Sequence, residues 1–394
     1  MAAAVGDDDE GQALYTCGLN PKILISLNTA WNLFNFRAGL IRALVDKGYE
    51  VVAVAPPDEY VARVKALGCR FVPLPMDNKG THPGRDLLLL WRFYRLLRRE
   101  RPAVYLGYTV KPNIYGSLVA RALGIPVINN IAGLGAAFIH ESWLTKIVRR
   151  LYRFALSGSN KVFFQNEDDR KLFIDSRLVA VDKSDRLPGS GIDLQRFAFV
   201  PRVVSYEDPV LRFLLIARLL WDKGIGEYVA AAQVIKKRYP HAIFDLLGFV
   251  DGSSPAAVTR AQLDSWQAEG VISYLGKSDQ VADVIAACDC VVLPSYYREG
   301  VPRTLLEAAA VGRPIITTDT VGCRDVVDDG VNGFLCQVRD LADLVAAMEK
   351  MIVLSPDQRA AMGRRGREKM EREFDEQIVI NKYLEALRDI VAAV

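Results

Sequence analysis

The sequence predicts an α/β protein built from two Rossmann-like domains, each a doubly wound parallel sheet, that face one another across a cleft. Apolar strand-like runs alternate with amphipathic helical segments from residue 21 onward, a pattern typical of parallel sheets covered by helices. The alternation breaks off near residue 187 and restarts near residue 213. In addition, 394 residues exceed what one hydrophobic core usually supports, so two domains are expected.

The first series of elements assigns residues 21–200 to one domain, and the second assigns residues 201–374 to another. Predicted strands of the first series span residues 23–27, 51–55, 71–74, 104–107, 127–131 and 162–165. Those of the second span residues 213–217, 243–247, 272–275, 290–294 and 315–317. Residues 187–209 are less regular and are interpreted as the linker. Because open parallel sheets bind ligands at the carboxyl ends of their strands, the active site is expected between the domains.

The composition is typical of a globular cytoplasmic enzyme, with 51% hydrophobic and 25% charged residues. Residues 1–20 lack the basic start and apolar run of a signal peptide and carry an acidic run instead, so we expect a disordered leader. No apolar stretch approaches the length of a transmembrane helix. The six cysteines form no CxxC pair, which favours free thiols in a reducing compartment.

The first domain is basic, with a net charge of +12 over residues 21–200 against −5 over residues 201–394. In the predicted helix 143–154, the cations Lys146, Arg149, Arg150 and Arg153 are assigned to one face and Leu144, Ile147, Val148, Leu151 and Phe154 to the other. A second stripe, Arg92, Arg95 and Arg99, lies beside residues 87–91. We interpret both as peripheral contacts with an anionic membrane. The alternative is that both helices pack on the sheet and leave solvated cations outside; no nucleic-acid partner is expected.

The most informative segment runs from residue 297 to residue 314, where a glutamate precedes a Gly-Val-Pro turn and a second glutamate follows inside a helical run. Pro302 suits the first turn of a helix, where no amide partner is needed. The free amides of residues 303–305 are then expected to face a diphosphate at the positive helix end. The predicted nucleotide-sugar contacts of this segment are Glu299, Gly300, Val301, Pro302, Thr304, Leu305 and Glu307. Glu299 is placed to reach sugar hydroxyls and Glu307 ribose hydroxyls.

This segment resembles the retaining GT-B glycosyltransferases of family 4, a group with sucrose and trehalose-phosphate synthases and many bacterial polysaccharide enzymes, in which such a glutamate pair is a hallmark. A glutamate pair alone would more often be two ordinary surface and helix-face residues. Here the resemblance covers nearly all of residues 21–394 and is strongest in the second domain. It implies the GT-B fold, in which the last helix, here within residues 375–394, packs back on the first domain.

Two cations lie at the expected mouth of the second sheet, where a strand ends at Ala217-Arg218 and a turn carries Lys223. Arginine offers a forked donor and lysine a compact charge, a suitable pair for neutralising a leaving diphosphate. The family places its diphosphate-binding residues in this pattern. The resemblance therefore assigns catalytic roles to Arg218, Lys223 and Glu299, whereas the alternative is a pair of surface cations beside a helix start.

Other contacts follow from the order of the segments. Gly248, Gly276 and Lys277 lie at strand ends, where the resemblance implies main-chain contacts with the nucleotide. In the first domain it places donor-sugar or acceptor contacts at Asn32, Phe34, Lys111, Asn129, Gly133 and Gly135. No histidine occupies the strand end at which many relatives carry one, because Asn129 stands there. This variant resembles the branch that builds capsule, O-antigen and lipid-linked oligosaccharides.

Competing motifs are incomplete. Gly224-Ile-Gly226 lacks the third glycine of a dinucleotide fingerprint, because Val229 occupies that position, and no Walker A pattern exists. Asp328-Asp329 lies in a turn rather than at a strand end facing the phosphates. Since helix amides and two cations already supply a positive field, we expect no metal and no other cofactor.

The function implied by the resemblance is transfer of an N-acetylhexosamine or hexose from a UDP-sugar to a polyprenyl-diphosphate-linked saccharide. The product is an α-linkage, made at the inner face of the cell membrane during surface polysaccharide biosynthesis. Two alternatives remain open. One is a UDP-GlcNAc 2-epimerase of the same fold, and the other is a non-catalytic UDP-binding partner of a polysaccharide assembly.

Overall fold

The computed structural model describes residues 20–77, 82–133, 143–202, 210–250, 252 and 254–392. It confirms the predicted fold class, because this part of the chain forms two parallel sheets covered by helices. Neighbouring strands run parallel throughout both sheets.

The first domain contains a seven-stranded sheet in the order β3-β2-β1-β4-β5-β6-β7. Its strands are β1 (Lys22–Ser26), β2 (Glu50–Ala55), β3 (Arg70–Pro73), β4 (Val104–Tyr108), β5 (Val127–Ile131), β6 (Lys161–Phe164) and β7 (Ser184–Arg186). Its helices are α1 (Ala30–Asp46), α2 (Val61–Lys65), α3 (Pro83–Glu100), α4 (Ser117–Ala122), α5 (Trp143–Ser157) and α6 (Glu167–Asp175). The strand order reverses between β1 and β4, which opens a crevice at their carboxyl ends.

The second domain repeats this plan with a six-stranded sheet in the order β10-β9-β8-β11-β12-β13. Its strands are β8 (Arg212–Ile216), β9 (Ile243–Leu247), β10 (Ser273–Gly276), β11 (Cys290–Leu293), β12 (Ile315–Thr318) and β13 (Gly333–Cys336). Its helices are α7 (Ile225–Arg238), α8 (Arg260–Ala268), α9 (Val281–Ala286), α10 (Arg303–Val311), α11 (Leu341–Val353) and α12 (Pro356–Lys369), followed by α13 (Glu376–Val391). The order reverses between β8 and β11, which places a second crevice there.

All eleven strands predicted from apolar runs are present, with ends shifted by one residue at most. The two edge strands β7 and β13 were not predicted. β7 consists of three polar residues and lies at the edge of the sheet beside β6, so it lacks the apolar run that identifies a buried strand. β13 is four residues long and begins at a glycine that follows a turn.

The last helix, α13, packs on the first domain although it follows the second in sequence. Val379, Ile380, Tyr383 and Leu387 belong to the hydrophobic cluster that also contains Ile25 of β1. In the connection between the domains, Ile192 and Phe197 are buried in the core of the second domain. This junction contains a tight turn: Gly191 has a φ of 71°, and Asp193 Oδ1 accepts from the amides two and three residues later.

The exposed face of α5 differs from the predicted one. Ile147 and Phe154 are 41% and 64% exposed and lie among the exposed cations Lys146, Arg150 and Arg153, rather than opposite them. Arg149 is half-buried instead of belonging to that basic face. The helix is rotated because its inner stripe is centred on Tyr152 and Leu156, which pack in a cluster with Phe164 and Phe173. Leu144 lies outside the described side chains.

The outer face of α3 has a similar character. Leu87 and Trp91 are 68% and 52% exposed, and the Arg95 guanidinium lies 4.8 Å from the centroid of the Trp91 ring. Arg99 is exposed on the same helix, whereas Arg92 is half-buried and donates to the backbone oxygen of Pro75.

Among the described residues, no helix has both the length and the apolar character needed to cross a membrane. Five cysteines are free and buried, as predicted, and Cys17 lies outside the described residues.

Candidate active site

A cleft of about 890 Å³ lies between the two domains, within the usual size range of small-molecule sites. It is lined on the first domain by Asn28, Thr29, Trp31, Asn32, Phe36, Asp58, Glu59 and Tyr60. On the second domain the lining residues are Ile216, Ala217, Arg218, Lys223, Phe249, Leu293, Glu299, Pro302, Arg303 and Thr304. Six of the residues predicted from sequence meet here: Asn32, Arg218, Lys223, Glu299, Pro302 and Thr304.

The carboxylate of Glu299 is held by two groups of the second domain. Lys223 Nζ forms an ion pair with Glu299 Oε1, and Ser295 Oγ donates to the same oxygen at 3.1 Å. Lys223 Nζ also lies 4.6 Å from the centroid of the Tyr297 ring, where a cation is attracted to the aromatic face. The sequence analysis assigned Lys223 to the diphosphate and Glu299 to the sugar, and the structure places the two groups in direct contact.

Backbone contacts fix the loop with Glu299 against the turn with Lys223. The backbone oxygen of Asp222 accepts hydrogen bonds from the amides of Tyr296 and Tyr297, both at 3.0 Å. Gly224, with a φ of 76°, completes the turn, and a Cβ at this position would lie 2.1 Å from the backbone oxygen of Pro294. Only glycine fits so close an approach at this φ. Arg218, at the end of β8, is exposed in the cleft.

The amino end of α10 forms one wall of the cleft. The helix begins next to Pro302, as predicted, but Pro302 is the residue before the first turn rather than within it, and Thr304 lines the cleft. The amide of Leu305 is not free as expected, because it donates to the backbone oxygen of Pro302 at 3.1 Å, and the Leu305 side chain is buried. The first turn of α10 thus closes on itself with a tight i to i+3 bond.

Glu307 forms an ion pair with Arg303, a residue that was not predicted to belong to the site. Arg303 Nε lies 3.3 Å from Glu307 Oε1, and Arg303 Nη1 donates to Ser190 Oγ at 3.1 Å and to the backbone oxygen of Gly191 at 2.9 Å. Burial raises the pKa of Glu307, and the positive charge of Arg303 acts in the opposite direction. Glu307 therefore lies behind Arg303, which itself lines the cleft.

The strand ends β9 and β10 meet beside the cleft. The amide of Gly248 donates to the backbone oxygen of Gly276 at 2.7 Å, and a Cβ at Gly248 would lie 1.8 Å from the backbone oxygen of Ala217. Lys277 is exposed, with Nζ 3.8 Å from Glu59 Oε1 across the cleft mouth. Phe249, which the sequence analysis missed, is 48% exposed and lines the cleft, so its ring is available to a nucleobase.

Several predicted contacts of the first domain lie away from the cleft. Asn129 is fully buried and donates to Asn113 Oδ1 and Ser117 Oγ at 2.9 and 2.8 Å, which places it in a structural network. Lys111 Nζ pairs with Asp86 Oδ1 at 2.9 Å. Phe34 packs against Tyr60, with ring centroids 5.8 Å apart. Gly135 lies outside the described residues.

A contact between the two domains contains Gly133, Gly300 and Val301. These residues therefore do not line the cleft. A Cβ at Gly133 would lie 2.7 Å from the amide nitrogen of Gly300, and Val301 is buried against Gly189.

A second contact between the domains lies at the cleft mouth. Tyr60 OH and Arg63 Nη2 donate hydrogen bonds to the two carboxylate oxygens of Asp279 at 2.7 and 3.1 Å. Such contacts join residues far apart in sequence, and no local pattern indicates them.

Comparison with known proteins identifies both domains. Residues 36–189 match the model of the "Glycosyl transferase 4-like domain", and residues 203–369 match that of "Glycosyl transferases group 1". The chain therefore belongs to the GT-B glycosyltransferases, and the resemblance seen in its motifs is confirmed.

The curated relatives include enzymes of bacterial glycan synthesis. The chain is 27% identical over 374 residues to N,N'-diacetylbacillosaminyl-diphospho-undecaprenol alpha-1,3-N-acetylgalactosaminyltransferase of Campylobacter jejuni, covering 90% of this chain and 94% of the relative. It is 25% identical to UDP-Gal:alpha-D-GlcNAc-diphosphoundecaprenol alpha-1,3-galactosyltransferase of Escherichia coli, covering 68% and 70% of the two chains.

Solved structures share the fold at low sequence identity. The Anabaena protein HepE in complex with UDP and glucose superposes with a TM-score of 0.76 at 16% identity, covering 94% of this chain and 100% of that one. Sucrose-phosphate synthase from Thermosynechococcus elongatus gives a TM-score of 0.77 at 17% identity, covering 95% and 100%.

Proposed function

We propose that this glycosyltransferase transfers a hexose or N-acetylhexosamine from a UDP-sugar to a saccharide linked to a polyprenyl diphosphate. One observation carries the proposal: Arg218, Lys223 and the amino end of α10 converge on the cleft wall that also presents Glu299. Cations and helix amides suit a diphosphate, and a carboxylate beside them suits the hydroxyls of the attached sugar. The names of the Campylobacter and Escherichia relatives, which both act on diphospho-undecaprenol saccharides, support this acceptor class.

The chemistry we propose is retaining, with an α-linkage in the product. Arg218 and Lys223 stabilise the charge that grows on the diphosphate as the glycosidic bond breaks. The leaving phosphate oxygen then accepts the proton of the acceptor hydroxyl, which attacks from the same face of the sugar. Glu299, paired with Lys223, orients the sugar through its hydroxyls. The chain forms no covalent intermediate in this scheme.

We also propose that the reaction needs no metal ion. Arg218, Lys223 and the α10 amino end supply positive charge where the diphosphate would lie. Within the part of the chain that the structure describes, no three His, Cys, Asp or Glu side chains cluster as a metal site. Metal independence stays a prediction that an activity assay decides.

We further propose that the enzyme works at the inner face of the cell membrane, attached through the outer faces of α3 and α5. Each face combines exposed arginines or lysines with exposed apolar rings or chains, including Trp91 and Phe154. Cations near an anionic leaflet contribute about 1 kcal/mol each, and aromatic rings favour the interfacial region. A lipid-linked acceptor would be presented at that surface.

The deciding experiment incubates the protein with UDP-GalNAc, UDP-Gal, UDP-GlcNAc or UDP-Glc, with and without an undecaprenyl-diphosphate-linked N-acetylhexosamine, and follows products by mass spectrometry. We expect the acceptor mass to increase by one sugar with one of these donors. Conversion of UDP-GlcNAc to its 2-epimer without acceptor would instead identify the epimerase alternative. UDP binding without turnover of any donor would favour a non-catalytic partner.

A further inference from the structure

Side chains on α6 of the first domain hold the loop that carries Glu299 in the second domain. Asn166 caps α6 by accepting from the amide of Asp169 at 2.7 Å, and its Nδ2 donates to the backbone oxygen of Gly300 at 3.1 Å. Arg298 reaches in the opposite direction, with Nε and Nη2 at 2.9 and 2.8 Å from Asp169 Oδ1. Asn166 and Asp169 are both fully buried.

Close backbone packing leaves this loop in contact with both domains. A Cβ at Gly300 would lie 2.6 Å from the backbone oxygen of Ala132 in the first domain. A Cβ at Gly322 in the second domain would lie 1.9 Å from the backbone oxygen of Gly300. Glu299 is therefore fixed at its backbone by the first domain and at its carboxylate by Lys223 and Ser295 of the second.

The energetics indicate a geometric role for the Asp169–Arg298 pair. Asp169 is fully buried and Arg298 is half-buried, so forming the pair removes much of the hydration of both charges and adds little net stability. Two guanidinium nitrogens on the single oxygen Asp169 Oδ1 do impose a direction and a distance. Asn166 adds a neutral donor to the same loop and satisfies the remaining oxygen of Asp169 at 3.1 Å.

We propose that Asn166, Asp169 and Arg298 are positioning residues that set the location of Glu299 according to the position of the first domain. This inference rests on the proposed function, in which Glu299 contacts the transferred sugar. It means that the sugar-orienting carboxylate is in place only when the domains adopt the arrangement seen here. A misplacement of about 1 Å in such a group lowers the rate about a hundredfold.

The test compares Asn166→Ser, Asp169→Asn and Arg298→Ala with wild type. Serine keeps the oxygen that caps α6 but lacks the amide donor, so Asn166→Ser removes the contact to Gly300 without removing the cap. Asp168→Asn is the matched control, because Asp168 is the exposed neighbour of Asp169 on α6. Turnover is measured with the UDP-sugar and acceptor that wild type uses, UDP affinity by calorimetry, and amide exchange of residues 299–301 by mass spectrometry.

We expect the three variants to lower kcat by about tenfold to a hundredfold and to speed amide exchange at residues 299–301, with the Kd for UDP unchanged within about twofold. Arg298→Lys should recover part of the rate, and Asp169→Asn should add little in an Arg298→Ala background. Asp168→Asn should match wild type in each measurement. Wild-type kcat in all three variants, or a parallel loss of UDP affinity and kcat, would overturn the inference.

The Glu299→Ala variant separates this inference from the proposed function. If Glu299→Ala keeps full turnover, the proposed role of Glu299 is wrong and the positioning inference fails with it. If Glu299→Ala is inactive while Asn166→Ser, Asp169→Asn and Arg298→Ala remain fully active, only the positioning inference fails.

Discussion

Arg303 and Glu307 form an ion pair one turn apart on α10, with Nε 3.3 Å from Oε1. Arg303 also donates to the backbone oxygen of Gly191, so the pair connects the helix to the junction between the domains. Burial raises the pKa of Glu307, against the effect of the neighbouring guanidinium. A ribose hydroxyl bound by Glu307 would share its carboxylate with Arg303.

This arrangement predicts a pH dependence of nucleotide binding. A glutamate whose pKa is raised takes up its proton at a higher pH than an ordinary glutamate, and the neutral carboxyl is a poorer acceptor. Calorimetry should therefore show UDP affinity decreasing as the pH is lowered from about 7.5 to about 5. Glu307→Gln should bind UDP about fivefold to tenfold more weakly at the higher pH, the effect of one lost hydrogen bond.

Glu307→Gln also controls for the titration of UDP itself, because the UDP phosphates titrate equally with wild type and with the variant. The ratio of the wild-type affinity to the variant affinity therefore reports on Glu307 alone, and this ratio should decrease as the pH is lowered. Identical affinities at every pH would exclude Glu307 from the ribose site.

The cleft cations lead to a second prediction. Arg218→Ala and Lys223→Ala should each lower kcat/KM by about a hundredfold or more, since removing one preorganised donor costs about 3 kcal/mol of transition-state stabilisation. Because Lys223 pairs with Glu299, the Lys223→Ala and Glu299→Gln effects should be non-additive in the double variant. Arg260→Ala, which removes an exposed cation paired with Asp264, is the control and should retain full activity. Additive losses would show that Lys223 and Glu299 act independently.

Metal independence gives a third prediction. Turnover should persist in excess EDTA, because protein cations and helix amides supply the positive field at the diphosphate. The assay compares EDTA-treated protein with and without added Mg²⁺ or Mn²⁺. Complete loss of activity that either ion restores would show that an ion supplies this field.

Attachment to the membrane is the fourth prediction. Sedimentation with vesicles containing anionic lipid should show binding that weakens with salt, because screening acts on exposed charges. Changing Lys146, Arg150 and Arg153 to Glu should reduce that binding by tenfold or more, and Phe154→Ser should reduce it further. The matched control changes the exposed cations Lys237, Arg364 and Arg365 of the second domain to Glu. Equal binding to neutral vesicles, or an equal loss in the control, would refute the assignment.

Local patterns predicted the strands and the cleft residues, and they failed where position depends on distant contacts. Apolar runs identified the buried strands because a strand that is buried on both faces has apolar residues at nearly every position. The rotation of α5 was missed because helical periodicity locates a stripe but not which part of it faces the core. The hydrogen bonds that the Leu305 amide and the Asn129 side chain make within the protein were not predicted. Asn166 and Asp169 gave no signal beyond an ordinary helix cap, since their partners lie about 130 residues away.

The return of α13 to the first domain affects how the protein is made. Tyr383 and Leu387 fill a core whose members outside α13 precede them by more than 190 residues in the sequence. A nascent chain therefore exposes that apolar surface while the whole second domain is being translated. The core of the amino-terminal domain, although first to leave the ribosome, can be completed only after α13 has been made, and apolar surface exposed until then favours aggregation.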